Sequence, residues 1–224
     1  MFIAGIFISM AGIACANFIQ IPQRHITGKH LEFKWNNLFE ETSIVPSINL
    51  FIMMIPYGGI LSFIALYGRE LGIQNSSYFF LIFSFGVAAA RLTTGKEFDK
   101  NGPRRILTFC FALLLLGFPL LASAKNSLLF YLSAVIIGFG NGVTFPTFQS
   151  MVNNLTDNTH RGAANSTLYT SVDLGMGLGM IASGFVAQYA SISTVFWMCA
   201  IISVAGLAFL RICTLKFYQS RVLS

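Results

Sequence analysis

Three sets of residues in this chain have types and spacings suited to chemistry. The first is the run GKEFDKNGPRR at residues 95–105, which gathers six charged side chains into eleven positions of a chain whose charged fraction is 10%. Asp99 is placed to accept hydrogen bonds from free N–H groups at a helix N-terminus, where a negative charge is favoured by about 0.3–1 kcal/mol. Arg104 and Arg105, with Lys100 beside them, suit an anionic membrane surface. Gly95 lets adjacent helices approach closely, and Gly102 permits a tight turn. The second set is a single residue, Asp173, the only acid deep in a long apolar run. Exposed to lipid it would cost at least about 2.5–3.5 kcal/mol, so it must face protein or water. There it binds a proton or a cationic solute, or else it sits a turn or two from its helix end and bonds to Thr170 and Ser171. The third set is Tyr57, Asn141 and Gln149, polar residues on apolar runs rich in Gly and Pro. They are candidates for lining a cavity, against the plainer reading that each bonds one helix to another.

No motif points to catalysis. G-x-S-x-G, a phosphate loop ending in G-K-[ST] and H-E-x-x-H are all absent from the sequence, so no enzyme activity is expected. Cys15, Cys110, Cys199 and Cys213 fall in or beside apolar runs without metal-ligand spacing and read as small packing residues. His25 and His30 lack acidic or cysteine partners at ligand spacing and read as loop residues. Neither a metal nor a cofactor is called for.

The elements that must carry these residues follow from composition. With 55% hydrophobic residues and a mean hydropathy of +0.70, the chain has the balance of an all-α membrane protein. A helix crossing a hydrocarbon core of roughly 30 Å needs about 20 apolar residues. Seven stretches qualify: 1–21, 47–68, 77–94, 106–123, 128–150, 163–189 and 194–214. Met1 to Gly12 lacks the positive region of a signal peptide, so the first stretch reads as a span, although Ala14-Cys15-Ala16 has the small-x-small form of a cleavage site. Residues 22–46 form a polar linker in which Leu31, Trp35, Leu38 and Phe39 have roughly helical spacing, and 215–224 is a tail.

Cytoplasmic loops collect Lys and Arg. With the N-terminus outside, twelve basic residues fall inside and only Arg69 and Lys125 fall outside, which orients the chain in the cell membrane with a cytoplasmic C-terminus. The net charge of +6 therefore reflects topology, and a nucleic-acid partner is not expected. The expected partner is membrane lipid. Arg91, one turn before Gly95, reads as an inner-surface anchor, and Phe79, Phe80, Phe83 and Phe85 read as lipid-facing.

The last six stretches divide into two sets of three. The leading member of each carries a helix-breaking patch, MIPYGGILSF around Pro56 and GFGNGVTFP ending at Pro146. Matching interruptions in helices that run in opposite directions point to a transporter built from inverted repeats, against the alternative of ordinary helix packing.

The pattern spelled by Gly95, Asp99, Lys100, Gly102, Arg104 and Arg105, in a short inside turn between two spans, resembles the signature loop of the major facilitator superfamily. Pro103 departs from the commonest form of that loop, which is basic there, but proline suits a helix start. Residues 138–165, with Arg161-Gly162-Ala163, are similar to the family's tenth helix and the loop to its eleventh. DLGMGLGMIASG resembles the small-residue face of an eleventh helix, with Gly175, Gly179 and Ser183 at four-residue spacing for close contact.

The resemblance implies that 47–214 is the six-helix C-terminal half, two inverted three-helix repeats, that 1–21 is a sixth helix, and that 22–46 joins the halves. It further implies secondary active transport of a small solute, with protons as the coupled ion. The family's first five helices have no counterpart here, so the cavity between halves needs an N-terminal half supplied by another chain, or the chain is a fragment or an accessory subunit that moves nothing. A seven-helix receptor has the same topology, but 194–210 holds no lysine for retinal and Arg91 lacks the preceding acid of a ligand receptor.

Overall fold

Backbone polar groups in hydrocarbon must find partners within their own segment, and in the computed structural model the described residues of every apolar run are helical, with no strand among the described residues. The structure describes the backbone of residues 2–17 and 39–222, and their side chains apart from 2–4, 8, 17, 94–101 and 222. Most of the polar linker, including Leu31, Trp35, Leu38, His25 and His30, lies outside the described residues, as do the side chains of Asp99 and Lys100.

Helix α1 spans Phe2–Asn17 and belongs to a separate unit of the chain. In the second unit α2 spans Glu41–Glu70, α3 Tyr78–Ala122, α4 Ser127–Leu155, α5 Arg161–Tyr189 and α6 Ile192–Phe209. A π-helical turn, Leu210–Thr214, leads from α6 into α7, Leu215–Val222. Two boundaries differ from expectation. Helix α2 starts at Glu41 rather than 47, and the expected tail continues the last span as helix. Segments 41–70, 102–122, 127–155, 161–189 and 192–221 are long and apolar enough to cross a membrane. The two remaining apolar helices, 5–16 and 78–93, are shorter. Beyond Thr93 the helix continues, but through the charged run.

Helix α3 has two arms, broken at Gly102, whose φ of 68° and ψ of −178° belong to a region that residues with a Cβ essentially do not visit. Pro103 follows, disfavouring helical backbone at Gly102 and opening the second arm with its fixed φ. The arms run in opposite directions. Phe83 lies against Gly138 and Val87 against Gly142, so the first arm is parallel to α4, whereas Leu114 meets Gly140 and Gly117 meets Ile137, so the second is antiparallel. The loop from α3 to α4 is closed by Asn126, whose side chain accepts from Leu129 N at 3.0 Å.

The two Gly/Pro patches do not interrupt their helices, contrary to expectation: α2 runs unbroken through Pro56 and α4 through Pro146. Their glycines instead form packing seams. Gly58 of α2 sits on the backbone of Met176 and Met180 in α5, and Gly59 on Ser183 and Cys199. Gly138 and Gly142 of α4 sit on the first arm of α3, and Gly140 on the second. Each leading helix thus packs against the second and third helices of the other triplet, and the two triplets interlock. In a membrane, where lipid offers apolar contact as readily as protein does, such close backbone approach is what holds helices together.

Between the seams lies an aromatic core. Phe79, Phe111, Phe118, Phe130, Phe148 and Phe196 are fully buried. Phe79 and Phe130 have ring centroids 5.1 Å apart, as do Tyr67 and Phe196. Of the phenylalanines expected to face lipid, only Phe85, 68% exposed, lies on the surface; Phe79 and Phe83 belong to the core and Phe80 packs against it.

Candidate solute cavity

Midway along the bundle α2, the first arm of α3, α4 and α5 converge on an open cavity of about 270 Å³. Its polar groups are Tyr57, Arg91 and Asn141, and its apolar wall includes Met54, Phe83, Phe145 and Met176. The convergence follows from the interlocking seams. Once Gly58 and Gly142 have drawn α5 and α3 onto the leading helices, the residues beside those glycines, Tyr57 and Asn141, face the space left between α2 and α4.

Each polar side chain is oriented by its own surroundings. The Tyr57 ring packs 6.1 Å from that of Phe83 at a 36° tilt. Asn141 donates from Nδ2 to the carbonyl of Ile137 at 3.2 Å, which leaves its Oδ1 as an acceptor on the helix surface. Arg91 donates from Nε to the carbonyl of Gly142 at 3.2 Å, tying the first arm of α3 to α4 at the cavity edge. Arg91 is exposed near the end of the apolar segment 78–93, where a surface anchor is expected, and it also lines the cavity, which that reading does not include. Its spacing was the available signal: Phe83, Val87 and Arg91 recur every four residues, one face of one helix, and all three line this space.

Gln149, two turns beyond Asn141, is half-buried and is not part of the lining. Asp173 is exposed on α5, between the lining residues Val172 and Met176. It lies twelve residues after Arg161, roughly 18 Å along the helix at 1.5 Å per residue, which is near the middle of α5 and not close to its end. Of its expected partners, Ser171 instead donates to the carbonyl of Thr167 at 3.0 Å, and Thr170 is exposed. Opposite this exposed face, Gly175 and Gly179 press on the carbonyls of Phe51 and Ile55, and Ser183 is buried. A cavity with an apolar wall, one aromatic hydroxyl, one amide and one guanidinium can hold a small solute with mixed polar and apolar surface.

At one end of the bundle Arg104, Arg105, Arg211 and Lys216 gather around the starts of the second arm of α3 and of α7. Asn154 near the end of α4 reaches Tyr218 of α7 at 3.3 Å, and Thr42 of α2 lies 3.3 Å from Thr156, so these termini share that end. At the opposite end the Tyr67 hydroxyl donates to the carbonyl of Ala122 at 3.1 Å, which places the end of α2, with Arg69, beside the loop holding Lys125.

Comparison with known proteins agrees with this architecture. The model of the Major Facilitator Superfamily matches residues 46–219. An uncharacterised MFS-type transporter of Pseudomonas aeruginosa (strain UCBPP-PA14) is 32% identical over 154 residues, covering 69% of this chain and 38% of the relative. The staphylopine export protein of Staphylococcus aureus (strain Mu50) is 24% identical over 159 residues, covering 69% of this chain and 40% of its own length. The chain thus spans about two fifths of the length of these relatives. Among solved structures, a bacterial homologue of the human drug peptide transporters PepT1 and PepT2 superposes with a TM-score of 0.70 over 80% of this chain and 42% of its own, at 16% identity, a likeness of fold. With the family model running from α2 into α7 over two interlocked helix triplets, the chain is a multi-pass membrane protein that belongs to the Major Facilitator Superfamily.

Proposed function

We propose that this chain forms the C-terminal half of a secondary active transporter that exports a small solute against an inward proton flow. The observation that carries the reading is the open cavity between the leading helices, with Tyr57, Asn141 and Arg91 at its polar points. Its volume of about 270 Å³ falls just below the roughly 300–1,000 Å³ of complete small-molecule sites, as one wall of a larger chamber would. The other wall is supplied by an N-terminal half, from upstream sequence or a second chain, and the two rock about the solute. Export as the direction rests on the relative named as a staphylopine exporter. The coupled proton is carried by Asp173, exposed in mid-helix beside the cavity wall. The basic end of the bundle faces the cytoplasm of the cell membrane, and the N-terminus lies outside.

The test is coexpression with the corresponding N-terminal half of a relative, followed by measurement of solute-dependent collapse of a pH gradient in inverted membrane vesicles across a panel of small polar and amphipathic solutes. At least one solute is expected to drive proton flux, and Asp173→Asn to abolish it with the protein still in the membrane. Solute movement that persists undiminished in the Asn variant rejects the proton role. Absence of flux for every solute, with both halves present and assembled, rejects transport by this chain.

A further inference from the structure

The solute cavity is walled by aromatic rings from both helix triplets. Tyr57 of α2 and Phe83 of the first arm of α3 form one pair, with centroids 6.1 Å apart at a 36° tilt. Phe145 of α4 packs on Tyr169 of α5 in a similar way, with centroids 5.4 Å apart at 49°. The first and second helices of each triplet thus carry one tyrosine and one phenylalanine, in opposite order. Tyr57 follows Pro56 and Phe145 precedes Pro146, so each pair is set at the proline of its leading helix. Tyr57, Phe83 and Phe145 line the cavity, and Tyr169 stands behind Phe145. Met54 and Met176 place two thioethers beside the rings.

Two of these rings differ from those of the core. Phe111, Phe118 and Phe196 are fully buried, so their surface is used up within the bundle. Tyr57 and Phe145 are only half-buried and border open space. Aromatic rings attract other rings in offset or edge-to-face contact, and thioether sulfur is drawn to ring edges. A flat aromatic solute gains from both kinds of contact, whereas an aliphatic one of the same size gains from neither.

The polar groups select within that class. Other tyrosines of the bundle are bonded: Tyr67 donates to the carbonyl of Ala122 at 3.1 Å, Tyr131 donates to the carbonyl of Asn75 at 2.9 Å, and Tyr218 accepts from Asn154 at 3.3 Å. The Tyr57 hydroxyl has no partner among the described residues. Asn141 engages one amide N–H with the carbonyl of Ile137, and its Oδ1 also has no partner among the described residues. Polar atoms left open in an otherwise apolar pocket are the points at which a ligand's polar group is fixed. The Asn141 oxygen can only accept, so the solute must donate to it.

We propose that the solute is a flat aromatic or heteroaromatic molecule bearing an N–H or O–H group, its ring between the Tyr57–Phe83 pair and Phe145 and its donor on Asn141 Oδ1. The proposal rests on the reading of this cavity as the solute site. Naphthol carries both features, its methyl ether only the ring, and decahydronaphthol only the donor. In the detergent-purified chain carrying Val172→Cys at the cavity wall, the concentration of each compound that halves maleimide labelling is measured, corrected for the native cysteines. Naphthol is expected to protect at about tenfold lower concentration than either analogue, the worth of one hydrogen bond or one aromatic contact. Added Asn141→Ala should remove the preference over the methyl ether and keep that over decahydronaphthol, and Phe145→Leu should do the reverse. Equal protection by all three, no protection by naphthol, or preferences that both substitutions leave intact would overturn the proposal. Protection by other solutes of the transport panel, with none by naphthol, strikes the aromatic class alone. Protection by no solute at all strikes the cavity as a solute site.

Discussion

Gly177 and Gly179 are two residues apart on α5, and the structure predicts opposite responses to the same substitution. A methyl group added at Gly179 would meet the backbone of Ile55, with Cα at 2.8 Å and the carbonyl carbon at 2.9 Å, and would press still harder on the carbonyl oxygen. Carbon atoms pack at about 3.5–4.0 Å, so α5 and α2 would have to separate locally by roughly 0.6–1.2 Å. No rotamer change relieves a clash with backbone, and the same seam is closed by Gly58 and Gly175, so separation at one point loosens its neighbours. Overpacking of this kind costs about 1–3 kcal/mol, against which the better helix propensity of alanine returns up to about 1 kcal/mol. With the full propensity gain, Gly179→Ala should therefore be destabilising by up to about 2 kcal/mol. At Gly177 an added methyl meets nothing within 4 Å, so only the propensity gain of about 1 kcal/mol remains. The propensity gain is common to both, so the variants differ by the overpacking cost. At roughly 2–4 °C per kcal/mol for a chain of this size, their melting temperatures should differ by about 2–12 °C in detergent micelles, followed by circular dichroism. Equal melting temperatures, or a Gly177→Ala variant less stable than Gly179→Ala, would refute the assignment of the α2–α5 seam.

Two further predictions concern the ends of the bundle. Gly102→Ala places a Cβ on a backbone at φ 68° and should cost about 1–3 kcal/mol, read as a lowered melting temperature, while Gly162→Ala, which meets open space, should cost nothing. For orientation, Lys125→Cys should react with a membrane-impermeant maleimide in intact cells and Lys216→Cys only after permeabilisation, each corrected for labelling of the native cysteines. The reverse pattern would overturn the placement of the basic end in the cytoplasm.

How much could be read from the sequence depended on whether a feature is local. Hydropathy marks a helix because each segment in a bilayer must close its own hydrogen bonds, and all seven apolar stretches are helical over their described residues. The positive φ at Gly102 was also local, since the glycine precedes a proline between two charged clusters. What a side chain faces is not local. Phe79 and Phe85 have the same composition around them, yet one is fully buried and the other 68% exposed, because α4 lies across only one face of that helix. The Gly/Pro patches are visible in the sequence as paired features, but their local signal is that of a break, since proline removes a donor and glycine is a poor helix former in isolation. Pairing with a partner helix reverses that reading. Gly58 and Gly138 are useful inside helices because there they admit another backbone, and the second backbone is absent from any local window of sequence.

The same distinction explains why the chain holds together while leaving the cavity between α2 and α4 open. Each leading helix is gripped by the other triplet, so α2 cannot leave without unseating α5 and α6, nor α4 without both arms of α3. Tyr57, Asn141 and Arg91 stand on the inner edges of these seams, and Asp173 on the side of α5 turned away from Gly175 and Gly179. Substitutions at the seam glycines should change melting temperature, whereas truncation of Asn141, whose one hydrogen bond is to its own helix, should leave it nearly unchanged. Tyr57 also packs on Phe83 and Arg91 also ties α3 to α4, but Asn141 keeps its Oδ1 free of any neighbouring helix, so its truncation is the variant that separates a solute-facing role from a packing one.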